Sequence, residues 1–249
     1  MGQFATQQRG TKVVFDYSEF TNRNAGFVCA TEQQALRDAT VFVCVTGGMG
    51  GAAIMALARM GVGHLIIADI DEFEISNLNR QVFGFVDTVG VHKADATATA
   101  CREINPSIEL TVYHDEWPEH VEDAVAAATV VVNGTDDLGA LLLLYRTARA
   151  KGKTVVDAYA SPLPSVYVTQ ARDKAHEERM RYPTIGTAWN ELTDGQRSAA
   201  FLREAEHVVI HSTSRNYIDL ALVGEVVAGT RSRMSFAPMV VTTGMLMAY

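Results

Sequence analysis

The sequence predicts an α/β fold built on a doubly wound, mainly parallel sheet, and three observations carry that reading. Between Thr40 and Ala158 short β-branched runs alternate with helical patterns, the signature of parallel strands joined by crossover helices. The first run feeds directly into Thr46-Gly47-Gly48-Met49-Gly50-Gly51, after which a helix opens. Past Pro164 the simple alternation ends, so the rest of the chain reads as an antiparallel and helical elaboration.

Taken in chain order, strands are predicted at Thr40–Val45, His64–Ala68, Ile108–Tyr113, Thr129–Asn133 and Thr154–Asp157, with helices at Ala52–Met60, Val89–Ile104, Pro118–Ala128 and Leu138–Ala150. On the second helix Val91, Ala94, Ala98 and Cys101 recur at spacings of three or four, which puts Cys101 on the buried face. Ser165–Gln170 reads as an edge strand, and the charged segment Ala171–Tyr182 as surface. Thr193 and Gln196 have capping-box spacing ahead of a helix over Arg197–Glu206. His207–His211 then reads as a strand, Tyr217–Val227 as a helix stopped by Gly229, and Pro238–Tyr249 as a core-packing helix. Without a repeat, low-complexity tract or linker, residues 1–249 are expected to form one domain. Its parts are an N-terminal arm and helix over 1–39, a nucleotide-binding core over 40–160 and a substrate-side elaboration over 161–249.

Composition bounds the function. With 249 residues, 48% hydrophobic and 20% charged, the chain can bury a substantial core. A net charge of −8 without any basic run lacks the footprint of a general nucleic-acid binder. The three cysteines at 29, 44 and 101 form no C-x-x-C pair, which argues for a reducing compartment and against structural zinc. The N-terminus lacks a signal peptide's apolar stretch, and the run Pro238–Tyr249 is too short for a bilayer. A cytoplasmic protein without membrane association is expected. That run ends in Met-Leu-Met-Ala-Tyr with no stop signal, leaving a continuation beyond Tyr249 open.

The glycine string has the geometry in which bare backbone N–H groups and a helix N-terminus hold phosphates. Gly47, Gly48 and Gly50 fill most of a nucleotide-binding fingerprint, with Val45 standing where the first glycine is usual; the alternative is a tight turn without a ligand. Asp69 closes the second strand at the place from which a carboxylate accepts ribose hydroxyls, although Asp71, Glu72 and Glu74 beside it leave a solvated acidic turn open. Next comes Ser76-Asn77-Leu78-Asn79-Arg80-Gln81, then Lys93. A triphosphate benefits from cationic side chains more than a dinucleotide does, and Arg80 and Lys93 can supply them unless each is an ordinary surface cation. Gly134-Thr135-Asp136-Asp137 ends the fourth strand, where open α/β sheets bind ligands. Asp136 suffices to anchor Mg²⁺ beside phosphate oxygens, unless both acids only cap the helix starting near Leu138.

Together, the Gly-Gly-Met-Gly-Gly loop, Asp69, the Ser-Asn-Leu-Asn-Arg-Gln string, Lys93, Ile104-Asn105-Pro106 and Thr135-Asp136 closely resemble the ThiF/MoeB/HesA family of ubiquitin-activating-enzyme-like adenylating enzymes. The resemblance covers roughly residues 20 to 160, and the Arg-Gln string with its downstream lysine is far more specific than the glycines. Beyond residue 160 it is confined mainly to Pro238–Tyr249. It implies a Rossmann-like adenylation domain, usually dimeric, that joins a carboxylate to AMP from ATP and releases pyrophosphate. By that resemblance Asp69 binds ribose, Arg80 and Lys93 the phosphates, and Asp136 the Mg²⁺, while Asn77 and Gln81 complete the nucleotide pocket. Arg23, in the divergent arm Phe20-Thr21-Asn22-Arg23-Asn24, would reach the partner subunit's triphosphate.

The chain departs from the family in lacking the zinc-binding C-x-x-C pairs and any cysteine after Cys101, which argues against a thioester relay; Cys29 is the exception if it is exposed, and otherwise reads as a small packed residue. The acceptor implied is a carboxylate on a peptide, a ubiquitin-like protein or a small metabolite. An NAD-dependent oxidoreductase would rest on the loop and Asp69 alone, against Arg80, Lys93 and Asp136. A non-catalytic nucleotide-binding partner subunit is the third reading. His207 and His211 lack a third metal ligand. Arg215, in the polar stretch Ser212 to Asn216, could recognise an acidic substrate or sit in a solvated turn.

Overall fold

The β-branched runs form strands because branched side chains pack well on a pleated surface, and each strand predicted up to Gln170 is present with ends shifted by two residues at most. A computed structural model describes residues 14–159, 164–211 and 216–249. Two helices, α1 (Tyr17–Thr21) and α2 (Ala30–Asp38), precede the alternating region. That region runs β1 (Thr40–Cys44), α3 (Gly48–Met60), β2 (His64–Ala68), α4 (Lys93–Ile104), β3 (Glu109–Tyr113), α5 (Trp117–Ala127), β4 (Val130–Asn133), α6 (Leu138–Ala150) and β5 (Val155–Tyr159). Then follow β6 (Ser165–Thr169), α7 (His176–Arg179), α8 (Asp194–His211), α9 (Leu220–Val227) and α10 (Ala237–Ala248). The strand order is β3-β2-β1-β4-β5-β6. All neighbours are parallel except β6, which runs antiparallel on β5 at the edge.

Successive side chains of a strand point to opposite faces, and β1 buries both. Val41 and Val43 join Ile54 and Leu57 of α3, Ala98 and Cys101 of α4 and Met247 of α10. Phe42 and Cys44 join Trp117 and Val121 of α5 and Leu144 and Tyr145 of α6. The sheet is therefore covered on both sides, as a parallel sheet requires. Among the described residues no helix is long and apolar enough to cross a membrane.

The structure corrects several expectations. Helix α3 starts at Gly48 rather than Ala52, so the glycines are its first turn. Helix α4 starts at Lys93 because residues 72–73 pair with Val89 and His92; Val91 therefore precedes the helix and is 40% exposed. His207–His211 is the end of α8, not a strand. The Thr193–Gln196 capping box forms, with Gln196 N–H donating to Thr193 Oγ1 at 3.2 Å, and propagation from that nucleus overrides the β-branched content of His-Val-Val-Ile-His. The segment 171–182 is not simply surface: His176, Met180 and Tyr182 are buried, and Arg146 holds Glu177 at 2.7 Å. Cys29 is exposed rather than packed, at the N-cap of α2. Ser212 to Arg215 lie outside the described residues.

Buried His176 gives the fold a pH dependence. Its ring stacks on Tyr145 with centroids 4.5 Å apart. Burial first, then the positive charges of Arg179 and His207, push its pKa down to about 3 from an ordinary 6.5. Below 6.5 the unfolded chain takes up a proton that the folded chain refuses. The histidine's contribution is thus complete above pH 6.5 and is lost as pH falls from 6.5 toward 3. His176→Phe is expected to remove a loss on the order of 1–2 kcal/mol between pH 7 and pH 5. Urea melts of both proteins at the two pH values check this; parallel pH slopes would contradict it.

Candidate active site

The site forms where β1 and β4 lie side by side, with Cys44 paired to Asn133, and their following segments diverge to opposite faces. This is the switch point at which doubly wound sheets bind ligands. Gly51 N–H makes the first α-helical bond, to Gly47 O at 2.8 Å, so the N–H groups of Gly48, Met49 and Gly50 open from the helix end without an intrahelical acceptor. Gly50 and Gly134 are required by close approach. A Cβ on Gly50 would collide with the Val45 carbonyl oxygen, and one on Gly134 would meet that oxygen and the Cys44 oxygen, the latter at 2.9 Å. Val45 itself sits at φ 71°, a region where a β-branched residue is an outlier. That backbone turn is what the usual glycine would have supplied.

Asp69 is 1% exposed and clamps this corner. Its Oδ2 accepts from Thr46 N–H at 2.8 Å and Thr46 Oγ1 at 2.9 Å, and its Oδ1 accepts from Asp71 N–H at 3.0 Å. Thr46 and Gly134 thus belong to the site although sequence reasoning assigned them no role; a threonine opening a glycine string and a glycine ending the opposite strand were the available signals.

Arg80 and Gln81 are brought to the loop. Arg80 Cγ lies 3.8 Å from a Cβ placed on Gly48, and Gln81 Nε2 lies 3.9 Å from one on Gly47. Arg80 Nη1 donates to Ser76 O and Asn79 Oδ1, each at 2.9 Å, leaving its other guanidinium donors for a ligand. Gln81 is buried, and its Oε1 has no hydrogen-bond partner, an orphan of the kind a bound molecule satisfies. Asn77 folds inward instead, accepting from Glu74 N–H at 3.0 Å. Lys93 is 6% exposed, its Nζ 2.8 Å from Asp71 Oδ2.

The two acids after β4 separate cleanly. Asp137 is the N-cap of α6, accepting from Ala140 N–H at 2.8 Å, and pairs with Arg197 at 3.0 Å. Asp136 is exposed and makes no hydrogen bond or ion pair with a described residue, so capping does not account for it. Nearby on α8, burial pushes the Glu204 carboxyl above its ordinary range; Arg233 at 3.8 Å opposes this, and Asp157 and Asp136 add to it. Among the described residues no three His, Cys, Asp or Glu side chains gather as a metal cage. Asp136 therefore fits Mg²⁺ only as one ligand completed by phosphate oxygens and water.

Arg23 is not brought to this site. Its neighbour Asn24 donates to Met60 O at 3.2 Å, at the far end of the 13-residue α3, about 20 Å along the helix from the glycines. Cys44 and Cys101 are buried, and burial pushes both thiols up, Cys101 to about 12.

The comparisons agree with this geometry. The ThiF family's sequence profile matches residues 21–188. The sulfur carrier protein ThiS adenylyltransferase of Escherichia coli K12 is 36% identical over 107 residues, 43% of either chain. The SAMP-activating enzyme E1 of Haloferax volcanii is 36% identical over 125 residues, 50% of this chain and 46% of that one. These matches span a little under half the length of the relatives. The E. coli tRNA N6-threonylcarbamoyladenosine dehydratase structure in complex with ATP superposes with a TM-score of 0.55 at 27% identity, covering 61% of this chain and 64% of that one. The PaaA structure, at 20% identity, shares the fold over 96% of this chain and 74% of its own, with a TM-score of 0.63. With the profile covering more than half of the chain, the protein belongs to the ThiF family.

Proposed function

We propose that this protein binds ATP at the β1/β4 switch point and adenylates a carboxylate. The observation that carries the reading is Asp136, exposed and without a hydrogen bond or ion pair to a described residue, just past the end of β4, whose neighbour β1 leads into the glycine turn that Arg80 approaches. A carboxylate oxygen of the substrate attacks the α-phosphorus, the bond to the β-phosphate breaks, and pyrophosphate leaves with the electron pair. Both reactants are anionic, so their approach needs screening. The open N–H groups of α3 and the free guanidinium donors of Arg80 bind phosphate oxygens, and Lys93 exchanges part of its contact with Asp71 for them. These donors also meet the charge that builds on the departing pyrophosphate. Mg²⁺, held by Asp136 with phosphate oxygens, adds charge neutralisation when bound. The ribose lies at the Asp69–Asp71 turn, with Asn77 fixing its wall and Gln81 Oε1 taking a donor from the nucleotide.

The acceptor is a carboxylate on a peptide, a ubiquitin-like protein or a small molecule, in a cytoplasmic protein whose residues 1–249 act as one adenylating unit. A homodimer places Arg23 of one copy at the other's triphosphate, which accounts for an arginine about 20 Å from its own loop.

Thermal stabilisation by ATP, AMP and NAD, each with and without Mg²⁺, tests this on the wild type and Asp136→Asn. Mg²⁺·ATP is expected to stabilise the wild type well beyond NAD, and the substitution to remove the Mg²⁺-dependent part. A larger shift with NAD, or no shift with any nucleotide, overturns the proposal.

A further inference from the structure

Resting on the adenylation reading, we infer that the cavity between α7 and α8 is a subsite for an acidic side chain of a peptide substrate. The cavity has a volume of about 200 Å³, below the roughly 300–1,000 Å³ of a whole small-molecule site. It therefore suits one part of an extended ligand.

Arg179, Arg181, Arg203 and His207 line it, with Met180 and Ile210 as apolar flanks. Its single carboxylate, Glu206, already holds Arg203 at 3.1 Å. Arg179 contacts neutral groups, Thr169 Oγ1 at 3.4 Å, His176 Nδ1 at 3.1 Å and the face of Tyr167 at 5.6 Å. The Arg181 side chain makes no hydrogen bond or ion pair with a described residue. In a chain of net charge −8, this is a local positive excess with guanidinium donors to spare, the arrangement that recognises carboxylates.

The backbone points the same way. Arg181 N–H donates to Glu178 O and Tyr182 N–H to Glu177 O, a Schellman-type helix end whose turning residue, Arg181, has φ 57°. That position favours glycine or asparagine. An arginine there opposes the local preference, as residues held for function do.

Reach sets the spacing. Helix α8 is fixed beside Asp136 by the Arg197–Asp137 pair. From Arg197 to Arg203 and His207 the helix climbs about 9–15 Å. At about 3.3 Å per extended residue, the recognised acid lies about three to five residues from the reacting carboxylate. The apolar flanks Met180 and Ile210 suit a peptide rather than a phosphate chain, which offers them no apolar group.

Fluorescence anisotropy of labelled hexaglutamate, with hexaglutamine and a single-stranded RNA decamer as comparisons, tests the subsite on the whole protein. Hexaglutamate is expected to bind, hexaglutamine not. Arg181→Gln and Arg203→Gln should each weaken binding about tenfold, and Arg181→Lys should weaken it less. Stabilisation by Mg²⁺·ATP, measured on every variant, should match the wild type and shows that each is folded. Absence of hexaglutamate binding, binding unaffected by both glutamine variants, or tighter RNA binding with the same losses overturns the inference. Failure of the adenylation reading would show separately, as absent Mg²⁺·ATP stabilisation in the wild type.

Discussion

Lys93→Ala is expected to lower ATP–pyrophosphate exchange by about 100-fold or more while hardly changing stability. Lys93 is the first residue of α4, where a positive charge opposes the helix dipole, so the helix gains nothing from a cation there. Its ion-pair partner among the described residues, Asp71, has a side chain 58% exposed. A pair with such an exposed member contributes about 0–1 kcal/mol, and Asp71 left alone is solvated rather than stranded. A buried lysine that adds so little to stability is what the proposed role on the nucleotide predicts. Exchange assays and urea midpoints for Lys93→Ala and Asp71→Asn separate the two roles. Exchange within tenfold of wild type in Lys93→Ala, or a stability loss that accounts for the activity loss, would rule this out.

The second large effect is at Gly50. Alanine there drives a Cβ into the Val45 carbonyl oxygen, and Gly134 closes on that oxygen from the other side. The peptide has little freedom to yield, because Val45 N–H is bound to Ala68 O at 2.8 Å. Overpacking against fixed backbone gives an expected loss of about 3 kcal/mol, together with loss of ATP binding as the open N–H groups turn away. Gly224→Ala is the control: it lies within α9 with open space around it and should be neutral or stabilising by up to about 1 kcal/mol. Chemical denaturation of both variants decides. A Gly50→Ala protein within about 1 kcal/mol of wild type would show that the corner adapts.

The strands and most helices were legible because their signals are local and periodic. The candidates Arg80, Lys93 and Asp136 stand out in the sequence because a distinctive string and a strand end mark them. What stayed hidden depends on partners far away in sequence. Asp69 has the position of a ribose ligand, yet its hydrogen bonds to Thr46 appear only when two strands lie side by side. Whether Asp136 or Asp137 caps α6 turns on side-chain geometry that a run of two acids does not encode. His207–His211 misled because branched residues suggest a strand, whereas the capping box at Thr193, more than a turn upstream, decides the outcome. Arg181 gave no signal, since a left-handed arginine is invisible until the helix end before it is built.

Helix α10 leans on the nucleotide turn itself. Val240 Cγ1 lies 2.5 Å from where a Cβ on Gly48 would stand, and a Cβ on Gly244 would fall 2.6 Å from that of Ala52. The surfaces that meet there come from points about 190 residues apart, and closing so long a loop is entropically slow to begin. During synthesis the glycine turn therefore emerges well ahead of its supporting wall. The anion-binding turn is thus steadied by a segment made long after it, so its final shape depends on a late contact.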